Sequence, residues 1–190
     1  MNTLCRFAAA AAVAVAASAF ATQASANPFA WLGYAATDNG NQVRADLRRA
    51  TVNYQTNEAP GTVIVDTQNT YLYYVLGGGQ AIRYGIGVGR EGFTWSGVKT
   101  ISAKKEWPAW TPPPEMLARR PDLPRHMEGG PQNPLGARAM YLGSSLYRIH
   151  GSNEPWTIGT NVSSGCIRMR NQDVIDLYGR VNVGAKVIVI

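Results

Sequence analysis

The chain has 190 residues, two cysteines and a net charge of +6, from 18 basic and 12 acidic side chains. This length suits one domain with a sizeable hydrophobic core. No run of Lys and Arg alternates with aromatic residues, so the sequence excludes the usual nucleic-acid-binding patterns. The mild basicity favours either an anionic partner or an ordinary solvated surface.

The N-terminus predicts export. Residues 1–26 carry one basic side chain, Arg6, followed by an alanine-rich apolar run and a small-residue Ala-Ser-Ala pattern that ends at Ala26. This is typical of a secretory signal peptide, and the run is too short and alanine-rich for the competing interpretation, an uncleaved membrane anchor. Cleavage would remove Cys5, lower the net charge to +5, leave no other stretch of membrane-spanning length and leave Cys166 as the sole thiol.

The next segment, residues 27–61, is polar and weakly periodic. It is expected to be a leader that is partly disordered or lies over the domain, with a short helix around residues 41–50. Short β-branched and aromatic runs then alternate with turn residues. They predict antiparallel strands over residues 62–66, 70–76 and 80–88.

A proline-rich segment follows, with eight of the eleven prolines of the chain between residues 108 and 134. A long, stiff loop inside a compact domain is usually functional, for example as a lid over a site. Trp107 and Trp110 stand at its start. Their amphipathic rings are suited to line a groove, although they could equally pin the loop to the core.

Three further elements are predicted in the C-terminal third. Residues 137–143 and 145–151 indicate two strands, residues 171–181 a short helix with Asn171 as its N-cap, and residues 185–190 a closing strand. Many short strands and one or two short helices predict a mostly β single domain of the sandwich or barrel type.

The lone thiol is the candidate reactive group. Cys166 needs a base to become a nucleophile, and the chain offers only His126 in the proline-rich loop and His150 at the end of a predicted strand. Gly165 would let backbone N–H groups turn toward an oxyanion, and Arg168 would share a strand face with the sulfur. A zinc site lacks ligands, so an inert buried cysteine is the main alternative.

These residues form a recognisable pattern. It consists of Ile-His-Gly at 149–151, Ser-Ser-Gly-Cys-Ile-Arg at 163–168, Asn171, Asp173 and the lead-in Asn-Pro-Leu-Gly at 133–136. Together they closely resemble the catalytic domain of the L,D-transpeptidases of the YkuD type.

The resemblance covers residues 62–190 and implies a β-sandwich or barrel-like catalytic fold. It implies Cys166 as nucleophile, His150 as base, and the carbonyl of Gly151 as the group that orients the imidazole. Backbone N–H groups of Ser164, Gly165 and Cys166 would form the oxyanion hole. Many members have His at the position of Ser164, so this chain departs from the family pattern beside the oxyanion hole.

The resemblance also implies a function in the periplasm or cell wall. The enzyme would form 3→3 peptidoglycan cross-links, important for cell-wall biogenesis and cell shape, by attacking a tetrapeptide stem and releasing D-alanine. Arg168, Trp107 and Trp110 would bind the stem, no metal or other cofactor would be needed, and carbapenems would acylate the thiol. Water or an amine of an envelope protein are the alternative acceptors, and a non-catalytic wall-binding domain is the alternative of a different class.

Overall fold

A computed structural model of the protein describes residues 44–190. The predicted signal peptide and the leader as far as residue 43 lie outside the described residues. The described part forms eleven strands: β1 (Ala50–Asn53), β2 (Val63–Asp66), β3 (Tyr71–Gly77), β4 (Gln80–Gly85), β5 (Val88–Gly89), β6 (Gly97–Glu106), β7 (Arg138–Leu142), β8 (Arg148–His150), β9 (Asn161–Ser163), β10 (Ile167–Arg168) and β11 (Lys186–Val189). It also contains two helices, α1 (Pro114–Arg119) and α2 (Asn171–Arg180).

Nine of these strands form one mixed sheet in the order β1-β4-β3-β2-β11-β6-β7-β8-β10, and β5 pairs separately with β9. Strands β2, β3 and β4 are antiparallel neighbours, as the sequence predicts. The closing strand β11 lies between β2, to which it is parallel, and β6, to which it is antiparallel. The predicted mostly β architecture with one or two short helices is confirmed.

Strand β6 connects the two halves of the sheet. Its first residues pair with β11 and its later residues with β7, and the register shifts between Ile101 and Ala103. Such an irregularity lets a long strand bend. Apolar side chains of both halves meet in one core cluster, to which Val174 and Leu177 of α2 also belong. Strand β6 was not predicted from the sequence, because most of its side chains are polar or exposed.

The N-terminal part of the described chain differs from the prediction. Within residues 44–50 the expected helix is reduced to a single 3-10 turn at Ala45–Leu47, and Ala50–Asn53 extends the sheet as edge strand β1. Leu47 is buried against Ile158, which fixes the turn by a tertiary contact. The β-branched pair Thr51 and Val52 suits a strand better than a helix.

The proline-rich segment 108–134 lies between β6 and β7 and contains α1. Pro114 occupies the first turn of α1, where its missing N–H costs nothing. Trp110 and Met127 then pair backbone to backbone, with N···O distances of 2.7 and 2.8 Å, and join the two limbs of the segment. Whether the segment moves as a lid stays a prediction. Among residues 44–190, no helix is long and apolar enough to cross a membrane.

Candidate active site

The parallel pairing of β8 with β10 brings the candidate residues together. Ile149 pairs with Ile167 and His150 with Arg168, so one step back along both strands Arg148 lies beside Cys166. Successive strand residues point to opposite faces. Both isoleucines therefore enter the core. The alternate residues Arg148, His150, Cys166 and Arg168 lie on the opposite face and line one cavity.

His150 is held in one tautomer. Its side chain is only 4% exposed, and its ring Nδ1 lies 2.5 Å from the carbonyl oxygen of Gly151. Because a carbonyl can only accept, Nδ1 carries the proton and Nε2 is left with its lone pair. Burial first, and then repulsion from Arg168, lower the pKa of His150 to about 3. The imidazole is therefore neutral near pH 7 and able to accept a proton at Nε2.

Asn171 fixes the loop that carries the orienting carbonyl. Its Oδ1 accepts from the N–H groups of Ala137 and Ser152 at 3.0 and 3.2 Å, and its Nδ2 donates to the Ser152 carbonyl at 2.8 Å. A Cβ at Gly151 would overlap this Oδ1, so only glycine fits there. The prediction that Asn171 is the N-cap of α2 is wrong, since Arg170 is the N-cap and Asn171 is the first helical residue.

The thiol of Cys166 is partly exposed and donates to the carbonyl of Leu146, with an S···O distance of 3.7 Å. Burial raises the pKa of the Cys166 thiol, and the neighbouring Arg148, followed by Arg168, opposes that shift. The contacts described for residues 44–190 include no direct hydrogen bond between Cys166 and His150. Catalytic hydrogen bonds often tighten only when substrate binds.

Cys166 and His150 open onto one cavity of about 880 Å³. The segment 108–134 contributes one side of it, including Trp110, Met116 and Met127. This volume is in the range of sites for small ligands and peptides. Trp107 does not line the cavity. It follows β6 with φ of 42° and its N–H donates to the Ala137 carbonyl at 2.8 Å, so its described contact is with the backbone of the domain.

The three predicted oxyanion donors are not equivalent. The N–H of Gly165 donates to Ser163 Oγ at 3.1 Å, and that hydroxyl donates to the Cys166 carbonyl at 2.6 Å. Gly165 N–H is therefore already used within the turn. The contacts described for residues 44–190 give no partner to the N–H groups of Ser164 and Cys166, which leaves these two as candidate donors.

Trp95 is a site residue that was not predicted from the sequence. Its indole N–H donates to the Gly165 carbonyl at 2.8 Å, and its ring stacks on Tyr147 at 4.5 Å between centroids. The carbonyl of Gly165 and the N–H of Cys166 belong to one planar trans peptide and point in opposite directions. Fixing the carbonyl therefore fixes the direction of the Cys166 N–H. Nothing in the local sequence around Trp95 indicates this role.

Two arginines flank the reactive pair. Arg168, predicted as a substrate ligand, donates to Glu154 at 3.0 Å and also lines the cavity. Arg148, which was not predicted, acts more strongly on the sulfur of Cys166. Its position two residues before His150 in the same strand was the available signal, because alternate strand residues share a face.

Within residues 44–190, no three His, Cys, Asp or Glu side chains are grouped to hold a metal ion.

A thiol, a neutral imidazole with a fixed tautomer and free backbone N–H groups around one cavity are the parts that acyl transfer through a thioester requires. The sequence matches the family described as L,D-transpeptidase catalytic domain, YkuD, over residues 60–189. The chain belongs to this family.

Individual relatives support the assignment. The chain is 39% identical over 137 residues to the protein of Escherichia coli (strain K12) named Probable L,D-transpeptidase ErfK/SrfK. The match covers 67% of this chain and 43% of that protein, so the chain spans less than half of the relative's length.

Two solved structures share the fold. L,D-transpeptidase 3 from Mycobacterium tuberculosis, solved with a faropenem-derived adduct, is 19% identical with a TM-score of 0.54, and the likeness covers 67% of this chain and 59% of the other. A Brucella melitensis protein described as a probable carnitine operon oxidoreductase is 45% identical with a TM-score of 0.52. That likeness covers 80% of this chain and 99% of the other.

Proposed function

We propose that the protein is an exported L,D-transpeptidase that forms 3→3 cross-links in peptidoglycan through a thioester on Cys166. The observation that carries the proposal is the shared cavity of Cys166 and the Nδ1-protonated His150, in a chain of this family. The signal-like residues 1–26 support action in the periplasm or cell wall.

In the first half-reaction the sulfur of Cys166 attacks the carbonyl carbon of the third stem residue. His150 Nε2 takes the thiol proton as the C–S bond forms, because both groups are neutral beforehand. The N–H groups of Ser164 and Cys166 stabilise the oxyanion. The C–N bond then breaks, and His150 returns the proton to the departing amine of D-alanine.

In the second half-reaction an amine of another stem attacks the thioester carbonyl. His150 removes a proton from that amine, the C–S bond breaks, and the proton ends on the sulfur of Cys166. The new amide replaces the one that was cleaved, so the step needs no nucleotide or other energy source. Water as acceptor would give a carboxypeptidase, and an amine on an envelope protein would give a wall attachment.

A redox function is the less favoured candidate. The Brucella melitensis relative is described as an oxidoreductase, and residues 87–92 read Gly-x-Gly-x-x-Gly. A dinucleotide fingerprint must open a helix directly after a strand. Here the run leaves β5 through a turn, and the next element is strand β6. Gly89 packs against Phe93 and Gly165. Gly89 thus serves close packing beside the thiol.

The decisive experiment uses the intact mass of the protein incubated with tetrapeptide muropeptides and, separately, with a carbapenem. We expect one adduct on Cys166 with the carbapenem, and with muropeptides a cross-linked dimer that lacks one D-alanine. Cys166→Ala should abolish the adduct, and His150→Ala should slow its formation by at least about a hundredfold.

The outcomes separate the alternatives. Tripeptide product without dimers would indicate the carboxypeptidase. An adduct that persists in Cys166→Ala would refute the nucleophile assignment, and a folded wild-type protein that forms no adduct would favour a non-catalytic wall-binding domain. Unchanged adduct kinetics in His150→Ala would remove this residue as the base.

A further inference from the structure

The cavity is strongly cationic, and its charges are not all neutralised. Five arginines and two glutamates line it: Arg90, Arg119, Arg120, Arg148, Arg168, Glu115 and Glu154. Arg168 pairs with Glu154 at 3.0 Å, and Arg120 pairs with Asp122 at 2.7 Å. No carboxylate lies within ion-pair distance of Arg90, Arg119 or Arg148 among the described residues.

Two of these three arginines converge on one aromatic ring. The guanidinium carbon of Arg90 lies 4.2 Å from the centroid of the Phe93 ring, and that of Arg119 lies 5.4 Å from the same centroid. Guanidinium groups stack favourably on aromatic faces while their N–H edges remain available. Phe93 therefore holds two cations near each other without consuming their hydrogen-bonding capacity.

Arg90 is also tied to the turn that carries the thiol. Its backbone N–H donates to the Ser163 carbonyl at 3.0 Å, and its Nη1 donates to Ser164 Oγ at 3.3 Å. Its guanidinium is thereby held beside Ser164, two residues before Cys166. Arg119 reaches the same place from the last turn of α1 in the proline-rich segment.

We propose that Arg90, assisted by Arg119, binds the free C-terminal carboxylate of the donor peptide and so selects donors that end one residue beyond the attacked carbonyl. This inference rests on the proposed function. A free α-carboxylate of the leaving residue lies about one residue length, roughly 3.5 Å, from the attacked carbonyl. When the oxygen of the attacked carbonyl binds the Cys166 N–H, this distance lets the carboxylate lie beside Ser164, where the Arg90 guanidinium is held.

The other cations are less suited to this task. Arg148 lies against the sulfur, where its charge acts on the thiol, and Arg168 already donates to Glu154. Arg90 has a planar fork that can bind a carboxylate through two parallel hydrogen bonds. Amidation of the peptide terminus removes the charge, and an additional residue moves it away. Both changes should weaken the donor.

The test compares two synthetic tetrapeptide stems that differ only at the C-terminus, one with a free carboxylate and one with a carboxamide. The measured quantity is the ratio of kcat/KM for release of the C-terminal residue, followed by mass spectrometry. We expect wild-type protein to favour the free carboxylate by about tenfold or more, as a charge-assisted hydrogen bond would give. Arg90→Gln should bring this ratio close to one.

Matched variants control for general damage. Arg90→Lys keeps the positive charge and should retain part of the preference. Arg119→Gln should lower the ratio by a smaller factor. Arg120→Gln changes an arginine of the same cavity that is already paired with Asp122, and it should leave the ratio as in wild type. Circular dichroism and thermal unfolding verify that each variant is folded.

Failure of this inference is distinguishable from failure of the proposed function. A wild-type protein that releases the terminal residue from neither peptide refutes both. A protein that cleaves the peptides, with a ratio that Arg90→Gln does not alter, keeps the transpeptidase function and overturns the carboxylate subsite. An equal loss of the preference in Arg120→Gln would also overturn it, since the effect would then reflect the net charge of the cavity.

Discussion

At the scale of single residues, burial keeps both members of the reactive pair neutral. The pKa of His150 is lowered to about 3, while the pKa of the Cys166 thiol is raised. A preformed thiolate–imidazolium pair is therefore disfavoured. Proton transfer should accompany the attack of the sulfur, when the substrate fills the cavity and the oxyanion donors act. Arg148 supplies the nearest positive charge to the sulfur as it loses its proton.

The buried imidazole makes folding stability depend on pH. An unfolded histidine takes up a proton below its ordinary pKa of 6.5, whereas folded His150 resists protonation down to about 3. The folding stability that depends on a neutral His150 is thus fully present above pH 6.5, and it is lost as the pH falls from 6.5 toward 3. Between pH 6.5 and 5 the free energy of unfolding should fall with a slope of up to about 1.4 kcal/mol per pH unit.

Urea unfolding across this pH window measures the slope. His150→Gln should flatten the curve, because glutamine does not titrate. His126→Gln, the same change at an exposed histidine of the proline-rich segment, is the matched control and should keep the slope. A wild-type curve that is flat between pH 6.5 and 5 would contradict a buried neutral His150.

Residue rarity explains which site residues the sequence could indicate. Cys166 is the one thiol outside the signal-like segment, and His150 is one of only two histidines, so few pairings were possible. Arg90 and Trp95 approach the site from the segment after β5. That approach depends on pairing of β5 with β9, for which neither strand shows a local pattern.

At the scale of elements, the site is a junction between short strands and the start of a helix. Strand β8 carries His150, strand β10 follows Cys166, and Asn171 at the start of α2 links the loop after β8 to the residue before β7. One side-chain amide thus holds two loops by three hydrogen bonds. The carbonyl that orients the imidazole lies inside this junction.

Replacing this amide should affect both stability and rate. Asn171→Ala leaves the N–H groups of Ala137 and Ser152 without their acceptor, which should cost about 2 kcal/mol of unfolding free energy. It also releases the Gly151 carbonyl, so acylation of Cys166 by a carbapenem should slow by about tenfold. Chemical denaturation and time-resolved intact mass measure the two effects. Asn182→Ala, a control at an exposed asparagine, should change neither the stability nor the acylation rate. If Asn171→Ala lowers stability but leaves the acylation rate unchanged, the role of Asn171 is purely structural.

Local pattern predicts elements well where one face is buried, and less well elsewhere. The strands near residues 62–88, the helix α2 and the strand β11 were indicated because apolar side chains recur with the right period. Strand β6 was missed because its side chains are mainly polar and show no apolar period. Its pairing with β11 on one edge and with β7 on the other stabilises it. Asn171 was interpreted as a cap, because local sequence does not show the distant backbone groups that it binds.

At the scale of the whole molecule, the order of the strands joins distant parts of the chain. The C-terminal strand β11 lies between β2 and β6, so the core cannot close until the end of the chain is in place. Such long-range pairing is set by the complementarity of whole surfaces and not by any local signal. The mostly β class could therefore be predicted from sequence, while the strand order and the parallel pairs could not.

The central position of β11 gives a prediction about the stability of the domain. Val187 is fully buried between both halves of the sheet, whereas Val98, on the neighbouring strand β6, is 62% exposed. Val187→Ala should lower the free energy of unfolding by about 2 kcal/mol, through lost burial and the cavity left behind. Val98→Ala makes the same chemical change on an exposed face and should cost less than about 0.5 kcal/mol. Urea unfolding of the two variants measures the difference. Equal losses would mean that β11 does not lie in the core of the folded protein, and the strand order itself would then be wrong.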